Sequence, residues 1–443
     1  MERIPEDVRD VLSALRRAGH EAWCVGGCVR DLLLGRAPED WDVTSSALPE
    51  ETMAIFGGRA LPTGLRHGTV TVRTDRRHVE ITTYRSDGGY TDHRHPDQVT
   101  FTRSLKEDLR RRDFTINAMA MDEGGMLRDP FGGRGDLRGG ILRCVGEPDA
   151  RFHEDALRMM RGLRFAARLD LTAEPATAES IRKNRELLRA IAAERIRVEL
   201  EKLLCGPAAG RILREFPEVI GVFLPEILPM VGFDQRNPHH CHDAWEHTLH
   251  SLEAVEPQPV LRMTMLLHDL GKPACFTLDA GGVGHFYGHP AVSRQLAEGI
   301  LQRLRFDNGS RRTILKLVAN HDRVFPVTDR GIRRALREFG EEDLRLLLAV
   351  KRADNLAQAP RYRGLQKDLS QAEEILNHLL AEEACVSLKQ LAVNGRDLTA
   401  LGLTGPAVGR TLSALLDRVV EGTLPNRRDD LLAEAKRMAD GSG

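Results

Sequence analysis

Asp40 and Asp42, separated by one residue, are the first place along this sequence where side chains suit chemistry. The segment Trp41-Asp42-Val43-Thr44 reads as a strand, and a period of two sends Asp40 and Asp42 to one face while Trp41 and Val43 point to the core. Adjacent carboxylates repel each other unless a cation lies between them. Magnesium, a hard ion that keeps some waters and takes phosphate oxygens as ligands, suits such a pair. Upstream, Gly26-Gly27 leads into a helix expected to start near Val29, offering backbone N–H groups and a positive dipole end to an anion, with Arg30 in the first turn. A triphosphate and its metal fit one corner of this kind. Each half by itself also reads as a solvated acid pair or an ordinary turn.

Two further sets stand out. A helix expected to begin near Glu154 carries Asp155 and then Arg158, Arg161 and Arg164 at steps of three, while Ala156, Met160, Leu163 and Ala167 fall on the other side. Taken in isolation, that is a solvated charged face with ion pairs three residues apart. Downstream lie His247, His268-Asp269, His289, His321 and Asp354, residue types that ligate metals.

The elements that must hold these groups are mixed at first and helical afterwards. Val8, Val11, Leu12 and Leu15 mark a first helix closed at Gly19. Strands are expected at Ala22 to Val25, Trp41 to Thr44, Thr69 to Arg73 and Val79 to Tyr84, and little β signal follows residue 141. Breaks near 140, 232 and 360 predict four segments: 1–140, 141–231, 232–360 and 361–443. The chain of 443 residues is long enough for several cores, and no apolar run is long enough to span a bilayer. Its formal charge of −1 makes it no polycation, so nucleic-acid affinity has to come from local clusters. Nine lysines among 64 basic residues leave 55 arginines, an excess that phosphate recognition and coding bias explain equally well. Seven cysteines without a CxxC pair argue against a disulfide framework or thiolate zinc site, and with no signal-type leader they predict a reduced, cytoplasmic protein.

Together the motifs are specific. Gly26-Gly27-Cys28-Val29-Arg30-Asp31 followed by Asp40-Trp41-Asp42, then Thr63-Gly64-Leu65-Arg66-His67-Gly68-Thr69, Arg111-Arg112-Asp113-Phe114, Glu154-Asp155-Ala156-Leu157-Arg158 and Ala193-Glu194-Arg195-Ile196 resemble, in order, the class II nucleotidyltransferases. That family comprises the bacterial tRNA CCA-adding enzymes and poly(A) polymerases of the DNA polymerase beta superfamily. The resemblance implies an α+β protein: an N-terminal mixed α/β nucleotidyltransferase head followed by an all-helical neck, a third domain and a tail. It also implies that Asp40 and Asp42 are catalytic and hold Mg2+, with Gly27, Arg30, Arg112, Asp155, Arg158, Arg161 and Arg164 binding nucleotide. Asp155 would accept from the exocyclic amino group shared by cytosine and adenine while Arg158 donates to the ring nitrogen. Glu80 is either a third acid or an ion-pair partner.

The downstream histidines and aspartates resemble the HD superfamily of metal-dependent phosphohydrolases, with His268-Asp269 as the naming dyad. That likeness implies one divalent ion at His247, His268, Asp269 and Asp354, and a second ion or a phosphate at His289 and His321. The expected partners are tRNA, CTP and ATP, with no DNA, no membrane, and a monomer or homodimer. The segment from Thr63 looks like the CCA-adding version, and the polar stretch 85–97 is placed like the family's flexible loop, which CC-only enzymes lack. Alternatives are an A-only or poly(A)-adding enzyme, and an HD phosphohydrolase whose head binds RNA.

Overall fold

The computed structural model describes residues 4–88, 98–382 and 384–440. It divides into two compact units, Met1–Leu228 and Pro229–Gly443. Among the described residues no helix is long and apolar enough to cross a membrane.

In the first unit, α1 (Glu6–Arg17) buries Val8, Val11, Leu12 and Leu15, the apolar stripe visible in the sequence, with acids in its first turn and arginines in its last. Next come β1 (Ala22–Val25), α2 (Gly27–Leu33), β2 (Asp42–Ser45), α3 (Pro49–Phe56), β3 (Ala60–Gly64), β4 (Thr69–Arg73) and β5 (His78–Thr83). A hairpin of β6 (Arg85–Gly88) and β7 (Gln98–Phe101) follows; residues 89–97, most of the expected flexible loop, lie outside the described residues. After α4 (Leu105–Arg110) the short strands β8 (Ala120–Met121) and β9 (Leu127–Arg128) complete a seven-stranded sheet in the order β3-β4-β5-β2-β1-β8-β9. Every pairing in it is antiparallel except that of β2 with β5. β1 lies between β2 and β8 with all four of its residues buried, which is why its sequence is a continuous apolar run.

Helices then take over: α5 (Gly133–Gly139), α6 (Pro148–Glu154), α7 (Leu157–Leu169), α8 (Pro175–Asn184), α9 (Ala193–Leu204), α10 (Ala209–Glu215) and α11 (Pro217–Ile220). α7 buries Met159, Met160, Leu163, Ala166 and Ala167. Removing a side chain of the size of Met or Leu from water contributes about 1.5–3 kcal/mol. The close fit depends on small residues: a Cβ on Gly162 would stand 2.8 Å from the ring of Phe114, and one on Gly206 would stand 2.6 Å from the backbone of Ala167.

The second unit is helical: α12 (Ala244–Ala254), α13 (Pro259–Leu267), α14 (Lys272–Cys275), α15 (His289–Arg303), α16 (Asn308–Asn320), α17 (Asp329–Phe339), α18 (Glu341–Leu356) and α19 (Leu365–Ala381). The last three helices, α20 (Gly395–Ala400), α21 (Pro406–Val420) and α22 (Arg428–Asp440), share a core of their own around Val393, Leu398, Leu415, Leu416 and Leu431.

Three expectations need correction. The strand at Asp42 does not include Asp40, which sits in the bend before it: ladder pairing to β5 starts at Asp42↔Glu80, and Pro38 upstream has no backbone donor. Asp155 is not helical. It lies at φ −141°, ψ 104° between α6 and α7, and its Oδ1 accepts from the backbone N–H of Leu157 at 3.0 Å, a local bond that competes with the helical one. Finally, two small strand pairs, Ile141–Leu142 with Thr172–Ala173 and Thr277–Leu278 with Gly284–His285, occur where little β structure was expected.

Candidate functional site

The first cluster lies in the middle of the large sheet, at the start of β2. Asp42 opens β2, and its register partner on β5 is Glu80, so two carboxylates stand on adjacent strands with Asp40 in the preceding bend. All three residues are exposed. The protein atoms packed around Asp42 push its carboxyl above the usual range, Glu80 and Asp40 add to this, and Arg112 opposes it. A set of hard, mutually repelling oxygens open to solvent fits a divalent cation.

The glycine turn is built against this cluster. Gly26 has φ 81°, a conformation that glycine adopts without strain, and a Cβ there would stand 2.9 Å from Nη1 of Arg112. α2 starts at Gly27, two residues before the expected Val29. Arg112 approaches Asp108 at 3.8 Å, yet its buried Nε has no hydrogen-bond partner, a donor left over for an anion. Arg30 is otherwise occupied: buried, it donates from Nη1 to Asn117 at 2.8 Å and from Nε to Asp31 at 2.9 Å. This ties α2 to the segment that carries Arg112 and Asp113.

Asp113 accepts at Oδ1 from the backbone N–H of Phe114 at 2.8 Å and at Oδ2 from Nε of Arg161 at 2.8 Å. Burial would raise its carboxyl, but Arg161, Arg158 and these hydrogen bonds outweigh it and hold the group at about 2. The arginine ladder on α7 is therefore paired within the protein. Arg158 donates to Glu154 at 2.8 Å and to the carbonyl of Arg111 at 3.1 Å, and the buried Arg164 bonds Glu199 of α9. Oδ2 of Asp155 accepts from Nη2 of Arg195 at 3.2 Å, with Oδ1 held by Leu157. A fixed acceptor thus stands three residues from a fixed donor. α7 is not remote from the acids: Arg168 near its end reaches Glu39, the neighbour of Asp40, at 3.2 Å. Sequence reasoning gave no role to Asn117, Arg195 or Glu199. The available signal was the spacing of Arg195 and Glu199, which four positions of helix put on one face of α9.

The second cluster belongs to the other unit. His247 comes from α12, His268 and Asp269 follow α13, and Asp354 lies near the end of α18. One donor atom from each falls within 4.8 Å of all the others, and Asp269, His289 and His321 form a second such group. Helix ends aim the rings. Nδ1 of His268, His289 and His321 donates to the carbonyls of Met265 at 2.7 Å, Phe286 at 2.9 Å and Val318 at 2.8 Å, as assigned from these contacts. Each Nε2 is left as a lone pair directed inward, the arrangement in which metal-ligating imidazoles are held. Nε2 of His289 faces Nε2 of His321 at 3.1 Å, and the buried Nε2 of His268 stands 3.2 Å from Oδ2 of Asp269. Lone pairs that converge on one another fit a cation. The residues therefore suit a divalent ion in each group, with Asp269 common to both. Lys272 neutralises part of this charge, at 2.7 Å from Asp269. Asn237, His240, Lys272, Tyr287 and His289 help to line an adjoining cavity of about 290 Å³.

Three family models match the chain: the poly(A) polymerase head domain over residues 22–143, a probable RNA- and SrmB-binding site of polymerase A over 170–227, and a putative domain 2 of tRNA nucleotidyltransferase over 291–435. A CCA-adding enzyme of Limosilactobacillus fermentum is 37% identical over 435 residues, 98% of this chain and 97% of that one. One from Geobacillus stearothermophilus is 49% identical over 221 residues, 50% of this chain and 54% of that one. The crystal structure of the Bacillus stearothermophilus CCA-adding enzyme in complex with CTP superposes with a TM-score of 0.75 at 31% identity, covering 99% of this chain and 98% of that one.

Proposed function

The chain belongs to the family of CCA-adding enzymes, and from this we propose that it adds C, C and A to tRNA 3′ ends from CTP and ATP without a nucleic-acid template. The 3′-hydroxyl attacks the α-phosphorus of the nucleotide and pyrophosphate leaves. Asp40 and Asp42 hold Mg2+, with Glu80 in place as a third oxygen ligand. When bound, the metal acidifies the attacking hydroxyl and offsets charge on the leaving pyrophosphate. Gly27 and its turn cradle the triphosphate, with Arg112 donating to it from beside the turn. Arg30 keeps that turn in place through Asn117.

Asp155 and Arg158 read the base. Cytosine and adenine each offer an amino donor next to a ring-nitrogen acceptor, and a carboxylate beside a guanidinium matches both; uracil and guanine present the inverse and leave buried groups unpaired. Arg161 and Arg164 line the same face and bear on ribose and phosphate. The observation that carries this reading is the immobilised acceptor Asp155, locked by Arg195 and Leu157, because a template can be replaced only by groups that do not adapt to the wrong base. Incubation with tRNAs ending before CCA, after C and after CC, each with one nucleotide at a time, tests it. Incorporation of C, C and then A is expected. Failure to use CTP at any end would make the enzyme A-only or poly(A)-adding.

The second unit supports an additional reading. Two metal-ligating groups sharing Asp269 beside a cavity suit hydrolysis of phosphate esters, the metals activating water and binding the phosphoryl oxygens. Phosphate release that depends on added divalent metal and disappears in Asp269→Asn is the expected result. In this reading residues 1–140 are the head, 141–231 the neck, 232–360 the metal-binding domain and 361–443 the tail, and the protein works in the cytoplasm.

A further inference from the structure

Lys351 is a buried cation in the second unit whose hydrogen bonds go to main chain. It lies on α18 and is 7% exposed. Its Nζ donates to the carbonyls of His321 and Arg323, each at 2.9 Å. His321 is the residue that ends α16, where backbone carbonyls lack partners within the helix. The ring of His321 takes the carbonyl of Val318 at 2.8 Å, and Lys351 takes that of His321 itself. Both the ring and the backbone of this residue are thereby fixed. Its Nε2 stands 3.1 Å from Nε2 of His289 and 3.7 Å from Oδ1 of Asp269.

Withdrawing an ammonium from water is costly unless hydrogen bonds replace the lost solvent. Among the described residues no carboxylate lies within ion-pair distance of Lys351, and an apolar side chain of similar length would fill the space without that cost. The arrangement therefore points to a need for the two bonds themselves. Asp354 follows Lys351 by three residues on α18, so the two lie on one face of the helix. One helix face thus gives a side chain to the group of His247, His268, Asp269 and Asp354, and holds the backbone behind His321 in the group with Asp269 and His289. We propose that Lys351 is a positioning residue, which fixes His321 so that Asp269, His289 and His321 together bind a divalent ion. The proposal rests on the reading of the second unit as metal-binding. Groups that orient a metal ligand from behind typically change affinity by about 10- to 100-fold when removed.

The full-length protein is stripped of metal with a chelator and titrated calorimetrically with Co2+. The binding step present in wild type and absent from His289→Ala reports the group containing His321. In Lys351→Met that step should weaken by roughly 10- to 100-fold, while the remaining binding stays as in wild type. Lys351→Arg, which keeps donors for both carbonyls, should show a smaller shift of the same step, and it supplies the test if the methionine variant does not fold. A helix-capping role alone would lower the urea midpoint and leave the step unchanged, which overturns the proposal. So does equal weakening of every step, because a loosened α18 disturbs Asp354 as much as His321. Wild type that titrates like His289→Ala refutes the reading of a second metal group, and the role of Lys351 with it; wild type with the extra step and an unaltered Lys351→Met refutes Lys351 alone.

Discussion

Asp42 on β2 and Glu80 on β5 are direct partners in a parallel register, which puts two carboxylates on neighbouring central strands, at the start of β2 where β1 runs out into the glycine turn. In the proposed reading Glu80 is a third metal ligand. Glu80→Gln should retain the fold, require more magnesium for half-maximal CTP incorporation, and lose on the order of 10²-fold in kcat. Asp42→Ala should lose more. A magnesium titration of the two variants that matches wild type in half-saturation assigns Glu80 to the sheet alone.

Arg195 holds the carboxylate of Asp155 from α9. Arg195→Ala frees that carboxylate to rotate, so discrimination between CTP and UTP should fall by about tenfold or more, with a smaller effect in Arg195→Lys. The measurement is the ratio of kcat/KM for the two nucleotides; an unchanged ratio in the alanine variant refutes the positioning role.

Asp113 stays ionised in the folded protein down to about pH 2, whereas an unfolded aspartate titrates near 3.9. The depressed value means that its stabilisation is complete above the unfolded pKa and is lost as pH falls from about 4 toward 2; the shift corresponds to about 2.5 kcal/mol. Urea unfolding of wild type and Asp113→Asn at pH 6 and at pH 3 should show the gap between them narrowing at the lower pH.

Asp269 belongs to both groups of the second unit that could hold a metal ion. Asp269→Asn should therefore reduce bound divalent metal at both positions, while His289→Ala should spare the group formed by His247, His268, Asp269 and Asp354. Metal content per chain after dialysis and reloading distinguishes the two. Equal metal in Asp269→Asn and wild type would refute the shared site.

Gly26→Ala forces a side chain onto a backbone at φ 81° and brings its Cβ to 2.9 Å from Arg112. The backbone strain costs on the order of 1–3 kcal/mol, and displacement of Arg112 should raise the KM for CTP more than it lowers kcat. The reverse pattern would place Arg112 at the reacting phosphorus.

Periodicity alone determined much of the scaffold. The stripe of Val8, Val11, Leu12 and Leu15 is buried in α1, and the apolar run Ala22 to Val25 is a central strand, because burial of one face or of both leaves a direct trace in composition. Motif order brought the acids, the glycine turn and the clustered histidines forward, since those residue types are costly to place without a use. What spacing could not decide was pairing across the chain. Asp155 looks helical by position, yet its own carboxylate captures the N–H of Leu157, and Arg195, 40 residues away, captures the rest. Two arginines of the ladder, which reads as a solvated face, are neutralised from distant segments: Arg161 by Asp113 and Arg164 by Glu199. Nor does any local pattern turn the rings of His289 and His321 toward each other. Secondary structure follows from neighbours a few residues apart, whereas the partner of a charge or a lone pair is set by which distant segment the packed core brings within about 3 Å, and that only the tertiary structure decided.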